Sequence, residues 1–142
     1  MNMKFHFNNP TNLIFGRGSL NQLGSLPMPG KKALVLISNG KSTRENGYLD
    51  RTLEQLKKAG VETALFDKIM ENPIKDVIME GAVFARENQC DFIVALGGGA
   101  VIDASAAIAA MATNEGDLWD YVFGGTGKCK TLEMIGLPIV AV

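Results

Sequence analysis

The sequence predicts an α/β fold, a parallel sheet covered by helices on both faces. Three observations carry that expectation. Short aliphatic runs recur along the chain, at Ala33–Ile37, Val61–Phe66, Asp91–Leu96 and in the closing "GLPIVAV". They lack the in–out polar alternation of a half-exposed sheet and so read as strands buried on both faces. Between them lie stretches whose apolar residues repeat at helical spacing. Strand and helix alternate throughout, which is the pattern of parallel strands joined by crossover helices.

The elements follow in order. "KFHF" (Lys4–Phe7) and "NLIFG" (Asn12–Gly16) read as a pair of short edge strands, with His6 a strand residue rather than a ligand. "SLNQL" opens with Ser19 as an N-cap, and "PMPG" (Pro27–Gly30) is a loop. After the first buried strand, Ser38–Gly47 is polar and glycine-containing, hence a loop. Leu49, Leu53 and Leu56 share one face of a helix that Gly60 ends in the C′ position. Pro73 disfavours helix at Asn72. Ile74, Val77, Ile78, Gly81, Ala82 and Ala85 then mark a second helix, and Ala100–Ala112 a third. Trp119 is expected to anchor its loop to the core by burying its area.

Composition bounds the function. The chain has 142 residues, 46% hydrophobic and 20% charged, with a formal net charge of −1. No block of like charge suggests a nucleic-acid patch, and no apolar run suggests a membrane span or a signal peptide. A cytoplasmic protein is expected, with neither nucleic acid nor membrane as partner. Cys90 and Cys129 are far apart and unpaired in spacing, so no disulfide framework or structural zinc site is expected. Cys129, between Lys128 and Lys130, reads as an exposed thiol. One histidine cannot build a catalytic triad or a histidine-rich metal site.

The stretch "FIVALGGGAVIDASAAIAAMA" concentrates the chemistry. Gly97, Gly98 and Gly99 lie where a buried strand opens into a helix, at the carboxyl edge where parallel sheets bind ligands. A helix N-terminus offers free N–H groups and partial positive charge, and glycines let a diphosphate approach the backbone. The same three residues equally make a tight strand-to-helix turn. Asp103, expected in the first helical turn, reads either as a carboxylate favoured by the helix dipole or as an acceptor for a ligand lying on the glycines. The apolar character of residues 100–112 on every side predicts a second layer of protein over that helix.

These residues resemble a family. "GGGAVIDASAAIA" is similar to the glycine segment of the iron-containing (group III) alcohol dehydrogenases, and the likeness extends over the chain. Phe15-Gly16-Arg17-Gly18 matches an N-terminal F-G-x-G turn, Asn72-Pro73 an N-P element, and "GLPIVAV" the strand leading to a Pro-Thr-Thr segment. The resemblance implies a Rossmann-like domain over residues 1–142, of the kind that opens dehydroquinate synthase. It places a cofactor diphosphate on Gly97, Gly98, Gly99 and the backbone of Ala100, the nicotinamide near Asp103, and Asn72 beside the cofactor. Ala100 stands where the family usually has serine, and Ile74 where it often has threonine.

The family's metal ligands, one aspartate and three histidines, belong to a helical domain that would follow residue 142. The expectation is therefore a cofactor-binding portion with no catalytic or metal-ligating residue of its own, inactive by itself. The implied partners are NADP or NAD, a small alcohol or aldehyde, and Fe2+ or another divalent metal in the full-length enzyme, with a homodimer compatible with it. The glycerol dehydrogenase and dehydroquinate synthase branch, and a non-catalytic nucleotide-binding module, are the alternatives. Ser38 occupies the place where NAD-preferring members carry aspartate. The turn Asn39-Gly40-Lys41-Ser42 is similar to that of the NADP-preferring butanol dehydrogenase and aldehyde reductase branch. A small residue gives room there, Ser42 can donate a hydrogen bond, and Lys41 can meet a 2′-phosphate.

Overall fold

The computed structural model describes residues 3–142. Four parallel strands, β1 (Lys32–Ser38), β2 (Glu62–Ile69), β3 (Phe92–Ala95) and β4 (Ile139–Ala141), lie in the order β2-β1-β3-β4. Between them run α1 (Ser42–Glu45), α2 (Tyr48–Lys58), α3 (Lys75–Glu87) and α4 (Gly99–Thr113), with short 3-10 helices at Ser19–Ser25 and Leu118–Tyr121. The architecture is the expected α/β sheet with helices on both faces.

The faces are set by alternation along the central strands, whose residues 33–37 and 92–95 are buried outright. Leu34, Leu36, Ile93 and Ala95 point into a core with α3 and α4. Ala33, Val35, Ile37, Phe92 and Val94 point the other way, into a core with α2 and the first 3-10 helix. The chain steps from β1 outward to β2, then back across β1 to β3. Crossovers of one hand therefore place α2 on one face and α3 on the other.

The amino edge is clamped. The Asp91 carboxylate accepts the N–H of Lys31 (2.9 and 3.1 Å) and of Lys32 (2.9 Å), joining the starts of β1 and β3. Burial pushes the Asp91 carboxyl up, but these backbone hydrogen bonds win and hold it below the usual carboxylate range. Gly30 leaves room for this arrangement: a Cβ there would overlap the Asp91 carboxylate and lie 2.8 Å from Phe92 Cδ1. Gly24 does likewise against α2, where its N–H donates to Gln55 Oε1 at 3.1 Å.

Several expectations are corrected. Residues 3–15 form no strands and their apolar side chains, Phe5, Phe7 and Phe15 among them, are exposed, as is His6. An isolated aromatic alternation gives the pattern of a strand but no partner to pair with. Ser19 is the first residue of its 3-10 helix, with Gly18 in the cap position, and its hydroxyl donates back to Gly16 O at 2.7 Å. β2 extends to Ile69 because of a bulge: Leu36 faces Phe66 but Ser38 faces Ile69. The extra residue turns Asp67 and Lys68 outward and lets both Phe66 and Ile69 enter the α3–α4 core.

The loop after β1 contains the single turn of α1, pinned by buried Thr43. Trp119 is not a core anchor: it is half-exposed and its Nε1 donates to Thr126 Oγ1 at 2.9 Å, while its neighbour Leu118 packs on the core. The segment after α4 is organised by buried Asn114. Its Oδ1 accepts the N–H groups of Glu133 and Met134, and its Nδ2 donates to Met134 O, all at 2.9 Å.

Candidate functional site

The strand order reverses between β1 and β3, so the loops leaving their carboxyl ends diverge and open a crevice. Two of the segments singled out by sequence meet there. Ser38–Ser42 leaves β1, and Gly97–Ala100 leaves the adjacent β3. Asn72 lies on the same edge but follows β2, on the far side of β1 from the glycines.

The three glycines are not equivalent. Gly97 is set by the fold: its φ is +156°, a Cβ would lie 2.8 Å from Val101 Cγ2, and its N–H donates to Val142 O at 3.1 Å. Gly98 is the N-cap of α4, with φ −82° and ψ −167°, a conformation open to any residue. A Cβ on Gly98 or Gly99 would meet nothing within 4 Å. No side chain caps α4, and while the Val101 N–H donates to Gly98 O at 3.0 Å, those of Gly99 and Ala100 precede any intrahelical partner, with the positive end of a 15-residue helix dipole behind them. The geometry suits an anion lying flat on the backbone, and a side chain at either position would fill that space.

Asp103 sits one residue deeper in the helix than expected. α4 begins at Gly99, so Asp103 is its fifth residue rather than part of the first turn. It is exposed beside Ile102 and Ala106, while Val101, Ala104, Ser105 and Ile108 face the core. A mostly apolar helix thus keeps one uncovered stripe, and that stripe starts at the glycines.

On the β1 side, Ser38 is half-buried and Asn39 donates its N–H to Ile69 O at 2.9 Å. Gly40 has room for a side chain, since a Cβ would make only an ordinary contact with Ser38 Oγ at 3.5 Å. Lys41 and Ser42 are exposed. The Lys41 carbonyl accepts the N–H groups of Arg44 (3.0 Å) and Glu45 (2.9 Å), which makes α1. Of the cations along this edge, Lys75 is paired with Asp117 at 2.8 Å, and that hydrogen bond raises its pKa while lowering that of Asp117. Arg44 is paired with Asp67 at 2.5 Å. Among the described residues, Lys41 makes no ion pair. The Arg44–Asp67 contact is invisible to local sequence patterns because it joins a loop helix to a bulge one strand away.

Two concavities, of about 220 and 390 Å³, lie around the C-terminal end of α4, away from this edge, sharing Thr113, Asn114 and Glu115 in their linings. Among the described residues no three His, Cys, Asp or Glu side chains come together as a metal-donor set. No helix of the described residues is long and apolar enough to cross a membrane.

Residues 10–142 match the family model described as "Iron-containing alcohol dehydrogenase". A Bacillus subtilis protein named "Probable NADH-dependent butanol dehydrogenase 1" is 40% identical over 118 residues, 83% of this chain and 30% of its own length. An "NADPH-dependent butanol dehydrogenase" of Clostridium saccharobutylicum is 37% identical over 102 residues, covering 72% of this chain and 26% of its own. Among solved structures, an NADH-dependent butanol dehydrogenase A from Thermotoga maritima superposes with a TM-score of 0.83 at 31% identity. That match covers 97% of this chain and 34% of the other. The chain thus spans about a third of the length of the proteins it matches.

Proposed function

This chain belongs to the iron-containing alcohol dehydrogenase family, and from that membership we propose that it is the dinucleotide-binding portion of an oxidoreductase. The reaction is hydride transfer between NADP or NAD and a small alcohol or aldehyde. The observation that carries the reading is the open space over Gly98 and Gly99 at the switch point of the sheet. An apolar ligand would find nothing there to bury against, whereas a diphosphate finds free N–H donors and a helix dipole.

When bound, the dinucleotide supplies the nicotinamide ring that carries the hydride. The residues of this chain hold it in place. The N–H groups of Gly98, Gly99 and Ala100 donate to the diphosphate oxygens, and Gly97 fixes the turn that presents them. Asp103, on the exposed stripe of α4, accepts from the amide end of the cofactor. Asn72 borders the edge beyond β1. The donor set for a metal is not assembled among the described residues, so no step is assigned to one here.

The preferred dinucleotide is NADP. No carboxylate stands at Ser38 to accept the ribose 2′-OH or repel a 2′-phosphate, and Lys41 is an exposed cation without an ion-pair partner among the described residues. The relatives include both an NADH-dependent and an NADPH-dependent butanol dehydrogenase by name, so the choice rests on these residues. Calorimetric binding of NADPH and NADH to the wild type and to Lys41→Ala, at fixed low salt, tests the reading. NADPH should bind the wild type more tightly, and the substitution should weaken NADPH alone. Absence of binding by either dinucleotide sinks the whole proposal; tighter NADH binding sinks only the NADP preference.

A further inference from the structure

We propose that Arg44 is a second specificity-determining cation of this edge, held on Asp67 until a phosphate on the adenosine ribose draws it away. This rests on the reading of Ser38–Ser42 as the ribose side of the site. The N–H of Arg44 donates to the Lys41 carbonyl at 3.0 Å, so the two residues are three apart on one helical turn. Side chains at that spacing start on the same side, about 5–6 Å apart at Cβ. Thr43 between them is buried and anchors the turn, leaving Lys41, Ser42 and Arg44 outward. Two cations and a hydroxyl thus project together from the end of β1.

Arg44 has a partner only because β2 bulges. The extra residue at Asp67–Lys68 turns Asp67 out beside α1, where its Oδ2 lies 2.5 Å from Arg44 Nη2. Lys68 goes instead to Glu80 on α3, and Glu45 is the remaining carboxylate on α1. The Arg44 and Asp67 side chains are 45% and 49% exposed, and an ion pair so exposed holds weakly. A phosphate monoester carries nearly two negative charges and three strong acceptor oxygens. The planar guanidinium fork fits it in two parallel hydrogen bonds. A single half-exposed carboxylate cannot match that. With only a 2′-OH present, Arg44 gains nothing by leaving Asp67. The pair is therefore a filter that responds to the phosphate and ignores the hydroxyl.

The test uses two fragments that need no nicotinamide site, adenosine 2′,5′-bisphosphate and 5′-AMP. Their binding is measured by calorimetry on this chain and on Arg44→Gln, Asp67→Asn and Lys41→Ala, with thermal melts to confirm folding. Arg44→Gln should weaken the bisphosphate about tenfold, as expected for loss of a charged hydrogen-bonded contact, and leave 5′-AMP within about twofold. Asp67→Asn should strengthen the bisphosphate and leave 5′-AMP unmoved; this variant keeps the test decisive if Arg44→Gln is poorly folded. Equal weakening of both fragments by Arg44→Gln, or of neither, overturns the proposal. If Lys41→Ala alone weakens the bisphosphate, only the Arg44 assignment fails. If the wild type binds the bisphosphate no better than 5′-AMP, the NADP reading fails and takes this proposal with it.

Discussion

Gly30 and Gly98 stand at opposite edges of one sheet, and the missing side chain means a different thing at each. At the amino edge the space is already taken by the Asp91 carboxylate and the Phe92 ring. At the carboxyl edge, a Cβ on Gly98 or Gly99 would stand in the open. The first glycine lets the protein close on itself; the second pair leaves backbone donors uncovered for something else. Conformation does not separate the two cases, since Gly98 has an ordinary extended backbone. What surrounds the absent side chain does.

The comparison is broken most easily at the amino edge. Gly30→Ala forces the Asp91 carboxylate off the Lys31 and Lys32 N–H groups and crowds Phe92. Urea unfolding should show a loss of about 3 kcal/mol, from overpacking and lost charged hydrogen bonds together. Stability unchanged would mean the edge yields freely and the contrast is false.

Gly98→Val should do the reverse. Valine fits an extended backbone and its Cβ meets no neighbour, so stability should fall by no more than about 1 kcal/mol, the cost of a poorer N-cap, while dinucleotide affinity falls more than tenfold, or more than about 1.4 kcal/mol. Unchanged affinity in a folded variant would move the cradle elsewhere.

Asp91→Asn sharpens the picture through pH. The folded carboxyl is held below its usual range, so its contribution is fully present above the unfolded value, about 3.9. It drains as pH falls toward and through the lower folded value. The substitution should flatten the acid limb of a stability–pH curve below about pH 4; a limb of unchanged steepness would assign the effect to other carboxylates.

The smallest effect is expected from Gly99→Ala. It replaces glycine by a better helix former at the first position of α4 and should raise stability by about 0.5 kcal/mol. The same methyl should cost affinity for dinucleotide. A variant both more stable and equally avid would show that only Gly98 borders the ligand.

The legible and illegible parts of the molecule divide on physical lines. β1, α2, α3, β3 and α4 could be read because their burial is periodic and local. β2 was read short because its bulge breaks the alternation just where Asp67 and Lys68 turn outward. The aromatic alternation of Lys4–Phe7 misled because pairing needs a partner strand, which no local pattern can supply. The glycine turn is visible in sequence, but not the division of labour within it, since what separates Gly97 from Gly98 is the closeness of Val101, the bond to Val142 and the backbone angle, none of which a run of glycines shows. Asp103 lies one residue deeper in the helix than the sequence predicts because "GGGA" gives no sign of which glycine starts the helix. The Arg44–Asp67 pair and the Asn114 hydrogen bonds join distant segments and leave no local trace.

The strand order also sets which chain closures the sheet requires. Val35 of β1 pairs with Leu65 on one side and Val94 on the other, and Val94 pairs with Val140. No strand pair is a hairpin, so each requires closing a long crossover before any ladder bond is made, which slows folding relative to a helical bundle of the same size. β1, the hub of the sheet, is also the first strand in the chain, and β2 and β3 can add to its two sides in turn. Of the four strands described, β4 lies farthest along the sequence from β1. Gly97 donates its N–H to Val142, just beyond β4. The glycine turn therefore acquires this restraint only when β4 docks, and the amides of β4 and Gly97 should lose protection from hydrogen exchange together.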